Sequence, residues 1–219
     1  MTGFGWVHFV FLLQGVLWTL GLFALAVALG SIGGFGIMLL RISRTALWRW
    51  GSLVFVQIVQ GTPLLIIFFL VYFGLSAVGV QVHGLVAAAV ALMVYCSAFL
   101  GEIWRGSVEA VARTQSEAAE CLGLSRWQTL VDVVLPQGAR IATPPTVGFM
   151  VQVLKGTSLA SVIGFVEVTR AAQLINNTIY QPFLVFGIAA ALYFALCYPL
   201  SRWSRALERK LNVGRSQSH

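Results

Sequence analysis

The residues of this sequence best placed to do chemistry stand where charge is otherwise missing. Lys155 lies in an apolar stretch and is followed by Thr157, Ser158 and Ser161. A charge within a bilayer is costly and usually faces a bundle interior or a water-filled cavity. Lys155 therefore reads either as part of a polar pathway, paired with a carboxylate or a backbone carbonyl, or as half of a structural ion pair at an interface. The hydroxyls after it can contact a solute or bond to their own backbone. Gln60, Thr62 and Pro63 form a second polar interruption. Pro63 is expected to kink or unwind its helix, leaving carbonyls that must face protein or water. Glu167 and Arg170 have the i,i+3 spacing of an ion pair just beyond the Lys155 stretch. Gln60, Thr62, Lys155, Thr157, Ser158 and Glu167 are the candidates for lining a pathway.

Nothing comparable points to catalysis. Lys155-Gly156-Thr157-Ser158 sets a lysine near hydroxyls but lacks the glycines of a phosphate loop, so ATP binding is not expected here. His8, His83 and His219 are far apart and terminal or in loops, and form neither a metal set nor a triad. Cys96 and Cys197 fall in apolar runs and Cys121 in a polar one, so all three are expected to be unpaired thiols. The sequence therefore reads as a non-enzyme with no cofactor of its own.

Composition says what must position these residues. Hydrophobic residues make up 58% of the 219 and charged residues 10%. Soluble domains carry about 25% charged residues, so an ordinary soluble enzyme is excluded, as is a disordered chain. No Asp, Glu, Lys or Arg occurs in Met1–Leu40, in Trp50–Gly101 or in Ala171–Ser201. One crossing needs about 20 apolar residues, and the middle gap holds two, separated by the polar break Gly74–Gly84. The expectation is an all-α integral membrane protein, a single domain over 1–219. Its five transmembrane helices would be Gln14–Leu40, Leu53–Gly74, Leu85–Trp104, Pro145–Phe165 and Pro182–Leu200. The N-terminus lacks the features of a cleaved signal peptide, and Thr2–Phe11 is expected partly at the interface. Gly30 and Gly34 form a GxxxG pair suited to helix packing.

All 14 basic residues except Lys155 and Arg170 fall on one side of this pattern. Positive charge marks the cytoplasmic side, so the N-terminus is expected outside and the C-terminus in the cytoplasm. The formal charge of +7 is then a topology signal. A nucleic-acid partner would need a basic domain outside the membrane, and none is apparent.

The one long cytoplasmic loop, 105–140, carries helix signals. Thr114 and Glu117 match a capping box, and Gly123 suits the left-handed position that stops the short helix after them. Ser125 and Gln128 form a second box, opening a helix that Pro136 is expected to end. Spacing alone allows a hairpin resting on the bilayer. The small face of Ala118, Ala119 and Gly123 favours approach by another protein, since a membrane-lying helix would carry Leu, Phe and Trp flanked by Lys.

Here the sequence resembles a known family. Glu117-Ala118-Ala119, three residues, Gly123, nine residues, then Val133-x-Leu135-Pro136 matches the EAA signature of ATP-binding-cassette (ABC) importer permeases, with Val for Ile. The blocks at Gln60-Gly-Thr-Pro, Glu102-Ile-Trp-Arg-Gly, Leu135-Pro-Gln-Gly and Lys155-Gly-Thr-Ser resemble the polar amino acid subfamily. Departures are Gln60 in place of a common Arg, Thr114 in place of Gly, and Gly156 in place of Asp or Asn. The resemblance implies a bacterial inner membrane permease subunit that moves an amino acid or related small polar solute by alternating access. Glu117, Ala118, Ala119 and Gly123 would dock on a cytoplasmic ATPase dimer, which would hold ATP and Mg. A second permease subunit, identical or paralogous, and an external solute-binding protein complete the implied assembly within membrane lipid. The competing classes are a secondary transporter, which often shows repeated halves, and a structural membrane protein without an ATPase partner.

Overall fold

The structure, a computed structural model, describes residues 3–216; Thr2, His219 and the side chain of Arg215 lie outside the described part. The described residues are helical with no strand. In chain order the helices are α1 (Trp6–Arg41), α2 (Ala46–Gly61), α3 (Leu64–Ala77), α4 (Gly84–Glu109), α5 (Arg113–Cys121), α6 (Arg126–Ile163), α7 (Val168–Ile179) and α8 (Pro182–Ser216). Four of these, α1, α4, α6 and α8, are long and apolar enough to cross a membrane; α2 and α3 together make a fifth, bent by 106°.

The bend follows from Thr62-Pro63. Pro63 has no N–H to give, and the residue before a proline is driven out of the helical region. Thr62 is extended, with φ −103° and ψ 129°. The turn it interrupts stays satisfied because the Thr62 hydroxyl donates to the Ile58 carbonyl at 2.7 Å. The expected kink is thus a sharp corner.

α1 and α4 form the closest pair. A Cβ added at Gly30 would stand 2.3 Å from the Cys96 Cβ, and one at Gly34 would stand 2.9 Å from the Leu100 Cβ. Gly101 answers from α4, where a Cβ would meet Ile37 at 2.6 Å. The glycine pair is therefore a packing device, as its spacing implied. Ala87, Ala88, Ala91, Leu92 and Cys96 make the inward side of α4 fully buried. α7 buries Val168, Ala171, Ala172 and Ile175 against Leu12 of α1 and Val185 of α8. Large apolar side chains point outward instead on α1 and α8, such as Leu17, Ile32, Phe183 and Phe194, which suits contact with lipid.

Several boundaries differ from the sequence expectation. α1 runs unbroken from Trp6, with the His8 ring accepting from the Gly5 amide at 3.0 Å, so the first helix starts at Trp6 and not at Gln14. α8 continues past Leu200 and carries Arg202, Arg205, Arg209 and Lys210 on helix. Pro136 does not end a helix: α6 is one helix of 38 residues. The segment Thr129–Val134 is a π turn, after which α-helical register restarts at Leu135, placing Pro136 in a first turn where its missing N–H costs little. The end of α6, Thr157–Ile163, tightens to 3₁₀ and stops at Gly164, whose φ is +84°. The three cysteines are free, with Cys96 and Cys197 buried and Cys121 exposed.

Candidate transport and coupling sites

The loop 105–140 is almost wholly helical. α4 extends to Glu109, α5 follows, and α6 opens at Arg126. The Ser125–Gln128 box forms as expected, with both reciprocal bonds in place at 3.4 and 2.9 Å. The Thr114–Glu117 box does not. α5 starts one residue before Thr114, after Ala112, with no side-chain cap. The Glu117 carboxylate instead faces Arg113 one turn back, at 3.5 Å, with both side chains largely in solvent. α5 ends as expected: Gly123 is left-handed (φ +75°), its amide bonds to the Glu120 carbonyl at 3.0 Å, and the Leu124 amide bonds to the Ala119 carbonyl at 3.1 Å.

α5 is two-faced. Ala119 is buried at 3% exposure, and the helix packs against the π turn of α6. Glu117, Ala118 and Gly123 are exposed. Leu122, which the sequence reading did not single out, is 81% exposed. The signal for it was available: a lone large apolar residue just before the stop glycine, on a helix with no other large apolar face. Of the docking candidates, Ala119 seats the helix and the other three face outward.

Charged groups tie this region to the bundle. The Arg41 guanidinium at the end of α1 lies 3.4 Å from the Glu102 carboxylate, and Arg105 donates to Glu102 at 3.0 Å and also to Glu109. Next to them the Trp104 indole donates to the Thr146 hydroxyl at 2.9 Å, joining α4 to α6. α5 itself bears on the π turn of α6, and the Gln137 side-chain amide donates to the Gln115 side-chain oxygen at 3.3 Å, tying the two helices.

The pathway candidates gather mainly where two helices lose regularity. Gly156 of α6 lies against Leu64, the residue after Pro63; a Cβ there would stand 2.9 Å from the Leu64 Cδ2. Lys155 is exposed and has no carboxylate within ion-pair distance among the described residues. Gln60 is exposed and Thr62 half-buried. Thr157 is fully buried and donates to the Leu154 carbonyl, while Ser158 donates to the Lys155 carbonyl and Ser161 to the Ser158 carbonyl, each at 2.7 Å. These hydroxyls serve the 3₁₀ turn first.

Glu167 sits apart from that patch. It is 0% exposed and caps α7, accepting from the Thr169 and Arg170 amides at 2.9 Å each and from the Tyr193 hydroxyl of α8. The expected Glu167–Arg170 ion pair is absent among the described residues: only the Arg170 backbone reaches Glu167, and its guanidinium donates to Gln173 at 3.2 Å. A capping carboxylate satisfies helix-end donors better than it serves a side-chain pair one turn on. Burial pushes the Glu167 carboxyl above the usual carboxylate range, against the pull of its three donors.

Comparison with known proteins decides the family. Residues 33–213 match the family model described as binding-protein-dependent transport system inner membrane component. The chain belongs to that family. Among relatives, the probable glutamine ABC transporter permease protein GlnP of Bacillus subtilis (strain 168) is 36% identical over 204 residues, covering 92% of this chain and 94% of that one. The octopine transport system permease protein OccM of Rhizobium radiobacter is 34% identical over 217 residues, covering 94% and 87%. A crystal structure of an amino acid ABC transporter with histidines matches with a TM-score of 0.87 at 30% identity, covering 95% of this chain and all of that one. This permease is accordingly a multi-pass inner membrane subunit of an ABC transporter.

Proposed function

We propose that this permease carries a polar amino acid, or an amino-acid-like solute such as an opine, across the inner membrane, driven by a separate ATPase dimer that holds ATP and Mg. The observation that supports the coupling reading best is the shape of α5. It is a short helix with one face seated on the α6 π turn and the opposite face, Glu117, Ala118, Leu122 and Gly123, open. Small residues beside one exposed leucine suit insertion into a protein groove. The arginine-bearing ends of α1, α4 and α8 and the start of α6 would face the cytoplasm with α5, placing the N-terminus outside. An external binding protein would deliver solute to the other side, and a second permease subunit would complete the pathway. Closure of the ATPases would then move α5, and through the Arg41–Glu102–Arg105 cluster the cross-linked ends of α1 and α4. Lys155, Gln60, Thr62 and Ser158 would line the pathway at the α2–α3 corner. Thr157, fully buried, would shape it from behind, and Glu167 would hold α7 against α8 away from it.

Co-expression with candidate ATPase subunits and capture in detergent tests this. Wild type should retain an ATPase. Gly123→Asp and Leu122→Asp should each lose it while inserting normally; Gly123 is left-handed, so its substitution also strains the turn, and the exposed Leu122 gives the cleaner variant. Equal capture by all three would remove α5 as the docking surface.

A further inference from the structure

We infer that this permease holds an anionic phospholipid in a built site beside α5, its phosphate in an arginine-lined cavity and an acyl chain in the apolar crevice next to it. The cavity, about 910 Å³, lies between the α1–α2 connection, the inner face of α5 and the first turns of α6. Arg41, Arg44, Arg49, Arg113 and Arg126 line it, against the carboxylates of Glu109 and Glu120. Arg41 is committed to Glu102, and Arg113 faces Glu117. Arg44, Arg49 and Arg126 have no carboxylate within 4.0 Å among the described residues. Arg113 and Arg126 are also the first residues of α5 and α6, where the helix dipole is positive and disfavours a cation unless an anion is near. Thr129, 7% exposed, lines the same cavity, and its hydroxyl has no hydrogen-bond partner. Three uncommitted guanidiniums, Arg44, Arg49 and Arg126, with an unused hydroxyl, suit the oxygens of a phosphate.

Three observations favour a lipid over a free phosphate or an acidic protein segment. First, Val108 lines both this cavity and a second one of about 490 Å³ among Phe35, Met38, Trp104, Met150 and Trp203. The only side-chain hydroxyls there are engaged: Thr146 accepts from Trp104, and Thr143 donates to the Ala139 carbonyl. Such a crevice is lined almost wholly by apolar atoms and suits an acyl chain. Second, Trp48, Trp50 and Trp127 stand exposed beside Arg49 and Arg126, the pairing of aromatic and basic side chains found at headgroup level. Third, half-buried Ser116 of α5 lines the cavity, while Ala118, Leu122 and Gly123 stay open to a partner protein. The site is independent of which solute is carried.

The test uses the purified full-length permease with whatever partners it retains. Native mass spectrometry counts bound lipid, and tryptophan fluorescence follows titration with dioleoyl phosphatidylglycerol or dioleoyl phosphatidylcholine in mixed micelles. One phosphatidylglycerol per chain should survive removal of bulk lipid. Its affinity should fall at least tenfold in Arg44→Gln/Arg49→Gln/Arg126→Gln, on the scale expected for removing basic side chains at an anionic surface. Arg202→Gln, away from the cavity, should leave it unchanged. Should the triple variant not fold, each single change should weaken binding several-fold. Equal retention of the two lipids, equal binding by wild type and the folded variants, or displacement by millimolar inorganic phosphate would each overturn the proposal. Loss of ATPase capture with phosphatidylglycerol binding intact would also overturn it, making the cavity a protein-docking surface.

Discussion

Glu167 separates two kinds of explanation for a charged residue near a membrane pathway. If it touches solute, replacing it should alter apparent affinity. If it holds the fold, replacing it should alter stability. The structure favours the second and gives the scale. In Glu167→Ala, the Thr169 and Arg170 amides lose their acceptor in a place with no exposure to water. The Tyr193 hydroxyl loses its carboxylate but keeps the Thr169 hydroxyl at 3.1 Å. Each buried donor left unpaired costs about 1–3 kcal/mol. With one donor partly rescued, the loss is about 2–5 kcal/mol, at or above the roughly 0.5–2 kcal/mol of a missing N-cap. Glu167→Gln keeps one acceptor oxygen for the two amides, and should cost roughly half as much. Detergent-solubilised protein heated before size exclusion reads the stability, and uptake into proteoliposomes reads apparent KM. The expected order of stability is wild type, Gln, then Ala, with KM for the surviving folded protein within roughly twofold of wild type. A stable Ala variant whose KM rises roughly tenfold, equivalent to about 1.4 kcal/mol of binding, would refute the positioning role and return Glu167 to the pathway.

Other outcomes follow from the same geometry. Gly30→Ala puts a Cβ 2.3 Å from Cys96. Ordinary carbon contacts are about 3.5–4.0 Å, so α1 and α4 must part by more than an ångström, at about 1–3 kcal/mol. Gly21→Ala and Gly36→Ala, with nothing within 4 Å, should be neutral or slightly stabilising in the same heating assay. Cys121 should react with a membrane-impermeant maleimide in inside-out vesicles and not in right-side-out ones; reaction in the reverse pattern would invert the proposed topology. Cys96 and Cys197, both buried, should react only after denaturation. Lys155→Met should leave thermal stability unchanged, because no partner in this chain is lost, while lowering uptake. A lowered melting point with uptake intact would mark Lys155 as structural.

The architecture was legible wherever one physical cause acted alone. Gaps in charge marked the spans because a bilayer rejects ionised groups over any sequence detail. Thr62-Pro63 marked a break because a missing donor and a steric clash coincide there, although nothing in the residues gave the angle. Gly123 was legible because the turn it makes requires a positive φ, and Gly30 and Gly34 because close helix approach requires the absence of Cβ. What failed were readings of polar residues with two available partners. Thr114 could cap α5 or sit inside it, and Glu167 could pair with the Arg170 side chain or with its amide. Spacing permits both, and tertiary burial chooses. The arginine cavity could not be read at all, since Arg44, Arg113 and Arg126 come together only when α5 folds back on α6.

Pro136 shows why a local rule misled at the place most exposed to mechanical load. In an uninterrupted α-helix its ring would collide with the Asp132 carbonyl, and its predecessor would leave the helical region. Those costs assume α-helical spacing. The π turn over Thr129–Val134 widens the preceding turn, so the helix passes through the proline without ending. The same turn is the surface on which α5 packs. The irregularity that absorbs the proline thus also seats the short helix, and α6 then runs unbroken from that seat to Lys155 and the 3₁₀ turn beside the α2–α3 corner. A helix that stopped at Pro136, as the sequence suggested, would leave a loop between the two sites, able to flex without transmitting force. In the coupling proposed above, continuity would make one lever of them. Inserting two glycines after Gly138 should therefore uncouple ATP hydrolysis from uptake while sparing ATPase capture, and unchanged uptake per ATP in such a variant would show that force travels by another route.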